Sequence, residues 1–486
     1  MNQGNLDKTL SSKIAKNTGL QFVGKILTTI LGILSISIIT RYLGQYQFGQ
    51  YVSVINYLAI FATIADLGVT LVTVQLISQP GANQKKILAN LLAFRLVSAV
   101  SLIGTGTLIA WFLPYSMSIK IGIIIASVSF VFISLNQVLV GLFQKNLVMG
   151  AVVLADIVSK TIMLIGFYLI YIFDYGFLSI MFVMLFSSFF GFLFHLIPAQ
   201  RITSFSLEFD FSYWKVILKK SWPLAITIFF NVIYLKTDIL ILSLTHTQSE
   251  VGIYGAAYRV IEVLITFPFM FAGIVLPILT MAWAKNSKEK FGKIMQKSFD
   301  FVLILSLPMF FGVLFEGKRI MSLLAGSEFV ISSKPLVVLM LANIFVYLSC
   351  ILAHGIIAAG KQQKLIFAYV LTALTTMPLY FYLIPKYSYM GAAWATVYSE
   401  AVITVLAAWV LSKELNFLPK LYTSFKTLVA ALIMSFGLFY FSRNFYLLFS
   451  ILSAASIYIV ALYFLKVVSL EDLNDFIGFR PKKKNT

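Results

Sequence analysis

The chain has 486 residues, of which 60% are hydrophobic and only 11% are charged, and its formal net charge is +19. A soluble domain carries about a quarter charged residues, so this composition excludes a soluble globular protein. Apolar stretches of about 20 residues, enough to cross the hydrocarbon core of a bilayer, recur along the chain. We therefore predict an all-α polytopic membrane protein rather than a transmembrane barrel, which has short alternating segments.

About fourteen transmembrane helices are predicted. In chain order they cover residues 18–40, 50–76, 88–112, 119–143, 148–172, 177–198, 221–244, 251–276, 298–315, 335–358, 364–384, 390–411, 424–442 and 445–467. We expect two repeated six-helix lobes around a central cavity, followed by two C-terminal helices. The predicted domain limits are 1–200, 221–411 and 412–486, with a cytoplasmic linker at 201–220.

The positive charge is concentrated in one set of predicted loops. With the N-terminus inside, 25 of the 37 lysines and arginines fall in cytoplasmic segments and only 7 in external ones. This bias follows the positive-inside rule, so it places both termini in the cytoplasm and removes the need for a nucleic-acid partner. The first apolar run is too long for a signal peptide and is predicted to be a retained helix.

The sequence of a turn near the N-terminus is repeated past the middle of the chain. The first copy is Arg41-Tyr42-Leu43-Gly44 followed by Phe48-Gly49-Gln50-Tyr51, and the second is Val251-Gly252-Ile253-Tyr254. Glycine permits a tight turn, and tyrosine is typical of the boundary between lipid and water. The order of later elements also repeats, which predicts duplicated halves that rock about a site near mid-membrane.

The predicted linker has its own pattern. Between Arg201 and Trp214 the apolar residues Phe205, Leu207, Phe209 and Phe211 alternate with polar ones. Such a segment is expected to lie on the inner membrane surface.

Prolines are concentrated in the second half. Pro268, Pro308 and Pro378 lie inside predicted spans, and Pro268 leaves the carbonyl of Leu264 without its helical partner. These positions are either packing kinks or hinges that bend during transport, and Pro268 and Pro308 are the candidate hinges.

Charged residues at membrane depth are costly and mark candidate functional positions. The basic ones are Lys25, Arg95, Lys160, Lys236 and Arg259; the acidic ones are Asp66, Asp156, Asp238, Glu262 and Glu400; His195 and His354 can also titrate. Asp156 and Lys160 share a helix face, as do Arg259 and Glu262, so each pair can neutralise itself.

Lys25 has no acidic residue within one turn on either side. Either a partner arrives from another helix, or Lys25 faces a watery cavity. Lys25, Arg95, Lys160 and Arg259 together could bind a multiply charged anion such as pyrophosphate, lysine as a point charge and arginine as a planar fork. Ion coupling or gating could use Asp66, Asp238, Glu262 or His354, although Asp66 could equally lock one lobe.

No enzyme signature is present. The sequence lacks HExxH, a Walker loop and G-x-S-x-G, and its three histidines are scattered at 195, 246 and 354. Cys350 is the only cysteine, so no internal disulfide or thiolate metal site is expected. We predict a protein without cofactor or metal, driven by an ion gradient, the membrane potential or substrate flux.

Two stretches carry a resemblance to a known family. The run Asn17 to Val69, with R-x-L-G-x-x-x-F-G-x-Y and Asp66-Leu67-Gly68, and the run Lys236 to Arg259 resemble the Wzx-like polysaccharide flippases of the multidrug/oligosaccharidyl-lipid/polysaccharide exporter superfamily. The resemblance implies movement of undecaprenyl-pyrophosphate-linked oligosaccharides to the outer leaflet through a cationic cavity. It also implies that the last two helices flank a groove for the lipid tail, and it favours Lys25 and Arg259 as cavity residues.

Two alternatives stay open at this point. One is a cation-coupled drug or metabolite antiporter of the same superfamily, and the other is a non-transporting subunit of a polysaccharide assembly machine. The flippase hypothesis places the protein in the bacterial cytoplasmic membrane. The partners that it predicts are membrane lipids, a lipid-linked oligosaccharide, and the polysaccharide polymerase and glycosyltransferases of the same pathway. The sequence does not identify the sugar.

Overall fold

A computed structural model describes residues 3–79, 81 and 83–467, and the regular structure in that range is helical throughout. The basic tail at 480–484 and the side chains of Lys8, Lys13 and Lys16, which contribute to the predicted cytoplasmic charge, lie outside the described part. Eleven helices among the described residues are long and apolar enough to cross a membrane.

The described residues form thirteen α-helices and one short 3-10 helix. They are α1 Gln3–Asp66, α2 Val69–Ile77, α3 Gln84–Phe112, α4 Met117–Lys145, α5 Met149–Phe173, α6 Phe177–Ile202, α7 Phe211–Thr245, α8 Gln248–Ala284, α9 Lys288–Ala325, the 3-10 helix Ser327–Ser332, α10 Ser333–Ala358, α11 Lys364–Leu415, α12 Tyr422–Asn444 and α13 Leu447–Phe464.

Two of these helices each contain two predicted spans. The first span and the first part of the second are joined in α1, which bends at Gly44 with φ 60° and ψ −176°. The eleventh and twelfth are joined in α11, which bends at Ser388 with φ 52°. No loop separates the first two predicted spans, because helical structure resumes directly after the single positive-φ residue Gly44.

The second predicted span, 50–76, is not continuous. Helix α1 ends at Asp66 and α2 begins at Val69, because Leu67 (φ 47°) and Gly68 (φ 75°) both adopt positive φ. Two consecutive residues of this conformation cannot continue a right-handed helix. The Asp66-Leu67-Gly68 motif is thus a helix break inside the second predicted span.

The chain divides into two compact units. The first comprises the described residues up to Ala256 with Leu324–Glu328 and Ala373–Ala392, and the second comprises Ala257–Leu323, Phe329–Thr372 and the residues from Ala393 onward. Each unit has its own apolar core, which includes Leu139 in the first and Ile351 in the second. The sequence-based lobe limits stay a prediction.

The predicted linker makes polar contacts with the start of α3. The ammonium of Lys86 lies 3.0 Å from the Asp210 carboxylate, and the Asn90 amide contacts Glu208 at 3.2 Å. The hydrogen bond from Lys86 holds the pKa of Asp210 below its ordinary value. Phe211 is 68% exposed. Location of this segment on the inner membrane surface stays a prediction.

Candidate functional site

Within the first unit, the two copies of the repeated turn pack against each other, backbone to backbone. A Cβ added to Gly49 would lie 1.6 Å from the carbonyl oxygen of Gln248, and one added to Gly252 would lie 2.1 Å from that of Gln45. The same offset of 203 residues relates Gly49 to Gly252 and Gln45 to Gln248, so the two contacts are equivalent. Only glycine fits at either position. We call residues 41–51 and 246–254 the double turn.

Each copy of the double turn is also tied to a later turn in its own half of the sequence. The Tyr42 hydroxyl donates to the Asp174 carboxylate at 2.7 Å and accepts from the backbone N–H of Gly176 at 2.7 Å. The Nε2 of His246 lies 2.9 Å from the carbonyl oxygen of Ile384. Asp174 and Gly176 follow the fifth predicted span, and Ile384 is the last residue of the eleventh, so the two contacts lie at corresponding places in the internal repeat.

Other contacts cross from one half of the sequence to the other. The Gln45 amide donates to the carbonyl of Glu328, in the 3-10 helix. The hydroxyls of Tyr115, just before α4, and Ser243, at the end of α7, are 2.8 Å apart. The backbones of the double turn touch, so no solute fits between its two copies in this conformation.

The tyrosine of the second copy is held by a buried acid. The Tyr254 hydroxyl donates to Asp238 at 2.7 Å, and Asp238 is only 1% exposed. Both residues lie about eight positions from the turn between α7 and α8, and this symmetry is the sequence signal that could have paired them. A role for Asp238 in ion coupling stays a prediction.

Three basic or titratable side chains lie around one carboxylate in the first unit. Asp156 on α5 interacts electrostatically with His195 on α6, with Lys160 on its own helix, and with Lys25 on α1. Lys25 is exposed, whereas Lys160 is half-buried. The acid that Lys25 lacks locally is therefore supplied by another helix, while Lys25 itself remains accessible.

Close packing of α1 on α5 positions this group, which we call the Asp156 cluster: Lys25, Asp156, Lys160 and His195. A Cβ added to Gly24 would lie 2.5 Å from the side chain of Val153, so the two helices meet one residue before Lys25 and three before Asp156. Two lysines share one carboxylate, so the cluster has a net positive charge.

Arg95 belongs to a different, buried polar cluster. It is 1% exposed, and its guanidinium lies 2.6 Å from Asp66, with hydrogen bonds to Gln137 and to the carbonyls of Ala65 and Ser134. The carbonyl of Ala65 immediately precedes the break between α1 and α2. These partners favour the locking role foreseen for Asp66, and pyrophosphate binding by Arg95 stays a prediction.

The remaining candidates lie in the second unit. Arg259 and Glu262 form a partly exposed ion pair at 2.7 Å, as their spacing predicts. The Nδ1 of His354 lies 2.7 Å from the carbonyl of Cys350, and its ring lies at the edge of Phe269. Glu400 is 4% exposed. Substrate binding by Arg259 and coupling by Glu262 or His354 stay predictions.

An apolar groove lies between α12 and α13. It encloses about 430 Å³ and is lined by Ile433, Ser456, Ile457, Val460, Ala461, Phe464 and Leu465. Binding of a hydrocarbon tail between these two helices stays a prediction.

Solved structures of transporters share this fold. The lipid II flippase MurJ, in an inward closed conformation, matches with a TM-score of 0.77 over 94% of this chain and 99% of that chain, at 17% identity. An inward-facing multidrug resistance MATE family transporter of the MOP superfamily matches with a TM-score of 0.66 over 82% of this chain and 99% of that chain, at 15% identity. The predicted class is confirmed: this is an all-α multi-pass membrane protein with the two-lobe transporter fold.

A family model described as polysaccharide biosynthesis protein matches residues 14–283, more than half of the chain, so the chain belongs to that family. The probable low-salt glycan biosynthesis flippase Agl15 of Haloferax volcanii is 31% identical over 179 residues, which span 37% of this chain and only 38% of that relative. The capsular polysaccharide biosynthesis protein CapF of Staphylococcus aureus is 22% identical over 404 residues, 81% of this chain and 98% of that relative. Family and fold together therefore define a multi-pass membrane protein of a polysaccharide biosynthesis family with a transporter fold.

Proposed function

We propose that the protein moves a polyprenyl-pyrophosphate-linked oligosaccharide from the inner to the outer leaflet of a bacterial cytoplasmic membrane, for surface polysaccharide assembly. The observation that carries this proposal is the net positive Asp156 cluster on α1 and α5. The family of the chain and the flippases among its relatives favour the same substrate class. A glycosyltransferase and a polymerase of the same pathway would supply and consume this substrate.

The Asp156 cluster suits a pyrophosphate head for an electrostatic reason. Lys25 and Lys160 each provide a compact charge with three donors, and the exposure of Lys25 gives an anion access to it. In the empty state, the Asp156 carboxylate would limit the repulsion between the two lysines. A pyrophosphate would replace that carboxylate as the principal counter-charge, while Asp156 would keep binding weak enough for release.

The double turn supplies the closed end of an alternating-access cycle. The distribution of lysine and arginine predicts that this end faces outward and that both termini are cytoplasmic. Its backbone contact at Gly49 and Gly252 would therefore seal the outside while the head group is loaded from the inner leaflet. Rocking of the duplicated halves would then separate the two copies and expose the substrate.

Removing the lysines tests the proposed site. We expect Lys25→Ala and Lys160→Ala each to lower surface polysaccharide at least about tenfold at equal protein abundance, because a hydrogen bond to a charged group contributes about 1.5–3 kcal/mol. Lys25→Arg, which keeps the charge, should retain more export than Lys25→Ala. Export is measured by quantifying polysaccharide on cells that lack the native copy.

Lys293→Ala is the matched control. Lys293 is 72% exposed and pairs with Glu289 on the surface of α9, so its removal should leave export unchanged. Normal export by Lys25→Ala and Lys160→Ala, or an equal loss in the Lys293→Ala control, would contradict the proposed site.

The antiporter alternative predicts a different phenotype. Transporters of cations and drugs need buried carboxylates, and Asp238 and Glu400 are buried in this chain. Under this alternative, overexpression raises drug resistance and Asp238→Asn removes it, whereas a lipid-linked sugar does not accumulate when the protein is deleted. The lysines around Asp156 favour an anionic substrate over a cationic drug.

A further inference from the structure

Two prolines inside helices of the second unit each deprive a carbonyl that accepts a tyrosine hydroxyl instead. We refer to these two proline positions as bends, because a proline in a helix interior kinks the helix. Pro268 lies inside α8, and it leaves the carbonyl of Leu264 without an N–H donor from its own helix. The hydroxyl of Tyr347, on α10, donates to that carbonyl oxygen at 2.9 Å. Tyr347 is 0% exposed, so water does not compete for this bond at the tyrosine.

The same arrangement occurs in the next helix. Pro308 lies inside α9 and leaves the carbonyl of Ile304 without its helical donor. The hydroxyl of Tyr458, on α13, donates to that carbonyl at 2.8 Å, and Tyr458 is 6% exposed. Two bends in two helices thus receive a hydroxyl from two further helices, each at the one carbonyl that its proline deprives.

We infer that Tyr347 and Tyr458 are positioning residues that hold the bends at Pro268 and Pro308 by replacing the hydrogen bonds that the prolines remove. A carbonyl in an apolar environment without a donor is costly, so each bend is stable only while its tyrosine is in place. The hydroxyl of Tyr347 also lies 3.6 Å from the sulfur of Met309, beside Pro308, which brings the two bends together.

Helix α13 lies outside the internal repeat and nevertheless supports α9 through a hydrogen bond. The last two predicted helices have no counterpart in the first half, yet Tyr458 of α13 holds the bend of α9. Ile457 and Ala461 of the same helix line the apolar groove between α12 and α13. One helix therefore contacts both the bend and the candidate groove for a hydrocarbon tail. Any use of this link in transport rests on the proposed function.

Double-mutant cycles on the full-length protein test the inference without a transport assay. Tyr347→Phe and Tyr458→Phe remove only a hydroxyl, and each should lower the thermal midpoint in detergent by at least about 2 °C. Pro268→Ala and Pro308→Ala each return an N–H donor to the helix. With Pro268→Ala present, Tyr347→Phe should lower the thermal midpoint by less than half as much as it does alone, and the same should hold for Tyr458→Phe with Pro308→Ala. Pro268→Leu and Pro308→Leu restore the same N–H and serve as second backgrounds if the alanine variants do not fold.

Tyr380→Phe is the matched control. Tyr380 is also buried and donates to a helix carbonyl, that of Tyr234 at 2.6 Å, but the residue four positions later is Asp238 and not proline. The fall in thermal midpoint caused by Tyr380→Phe should be the same with and without Pro268→Ala. The inference would be overturned if Tyr347→Phe lowered the thermal midpoint equally with and without Pro268→Ala, and Tyr458→Phe did so equally with and without Pro308→Ala.

The use of the bends in transport has a separate readout. At equal abundance, Tyr347→Phe and Tyr458→Phe should lower surface polysaccharide more than Tyr380→Phe does. The two tyrosines would have no positioning role in transport if Tyr347→Phe and Tyr458→Phe left export unchanged while the thermal midpoints still showed that each tyrosine is coupled to its proline. Failure of the proposed function itself would appear instead as normal export by Lys25→Ala, while the thermal cycles would be unaffected.

Discussion

Gly49→Ala and Gly252→Ala should each reduce surface polysaccharide by at least about tenfold at equal abundance. A single methyl group at either position would lie about 2 Å or less from a backbone carbonyl oxygen of the opposite copy of the double turn. Neither backbone can yield locally, so the two copies must separate, and a strain of 1–3 kcal/mol is about a tenfold change or more in the closed population. The measurement is polysaccharide on cells that carry each variant as their sole copy.

Two glycines on the same helices provide controls. Gly32 on α1 and Gly273 on α8 have no atom within 4 Å of an added Cβ, so Gly32→Ala and Gly273→Ala should export normally. Ser53, 2% exposed beside the double turn, can report closure after Ser53→Cys in a Cys350→Ala background. A membrane-impermeant thiol reagent should label it faster when Gly252→Ala is added. Export at wild-type level from both double-turn variants, with unchanged labelling, would mean that this contact is not the outer closure.

Arg95→Leu should destabilise the protein by about 3–5 kcal/mol, because it leaves the Asp66 carboxylate with no cation at 2.6 Å in a buried site. The double variant Arg95→Leu, Asp66→Leu should recover part of that loss, since it removes both charges. Arg259→Leu is the control, because the Arg259–Glu262 pair is partly exposed and its loss should cost about 1 kcal/mol or less.

The free energy of unfolding in denaturant, or the thermal midpoint and expression level, measures these three variants. If Arg95→Leu cost no more than Arg259→Leu, or if the double variant were worse than the single one, Arg95 would not be the buried lock of the break between α1 and α2. Pyrophosphate binding would then be the preferred role for Arg95.

The sequence predicted most of the helices because each has to cover the same thickness of hydrocarbon. Hydropathy located the span in α5 and the one in α10 to within a few residues. It could not show the break after Asp66, because Leu67 continues the apolar run and only its backbone conformation ends the helix. Hydropathy could not show that helical structure resumes directly after Gly44 either, because polar residues follow that glycine.

The candidate site depended on contacts between distant parts of the chain. Lys25 and Asp156 are 131 positions apart, so the local lack of an acid near Lys25 was correct but could not name its partner. The unpaired carbonyl of Leu264 followed from Pro268 alone, yet nothing in the sequence indicated that Tyr347 would donate to it. A repeat also predicts equivalent turns, but not that Gly49 and Gly252 touch each other.

The most direct test of the account is translocation by the purified protein. A polyprenyl-pyrophosphate-linked fluorescent oligosaccharide is placed in both leaflets of proteoliposomes, and an external glycan-cleaving enzyme reports the fraction that becomes accessible. We predict that the wild-type protein makes the inner-leaflet pool accessible within minutes, whereas Lys25→Ala with Lys160→Ala leaves it protected as in empty liposomes. Equal protection with the wild-type protein and in empty liposomes, or equal exposure by both proteins, would contradict a flippase that captures pyrophosphate at the Asp156 cluster.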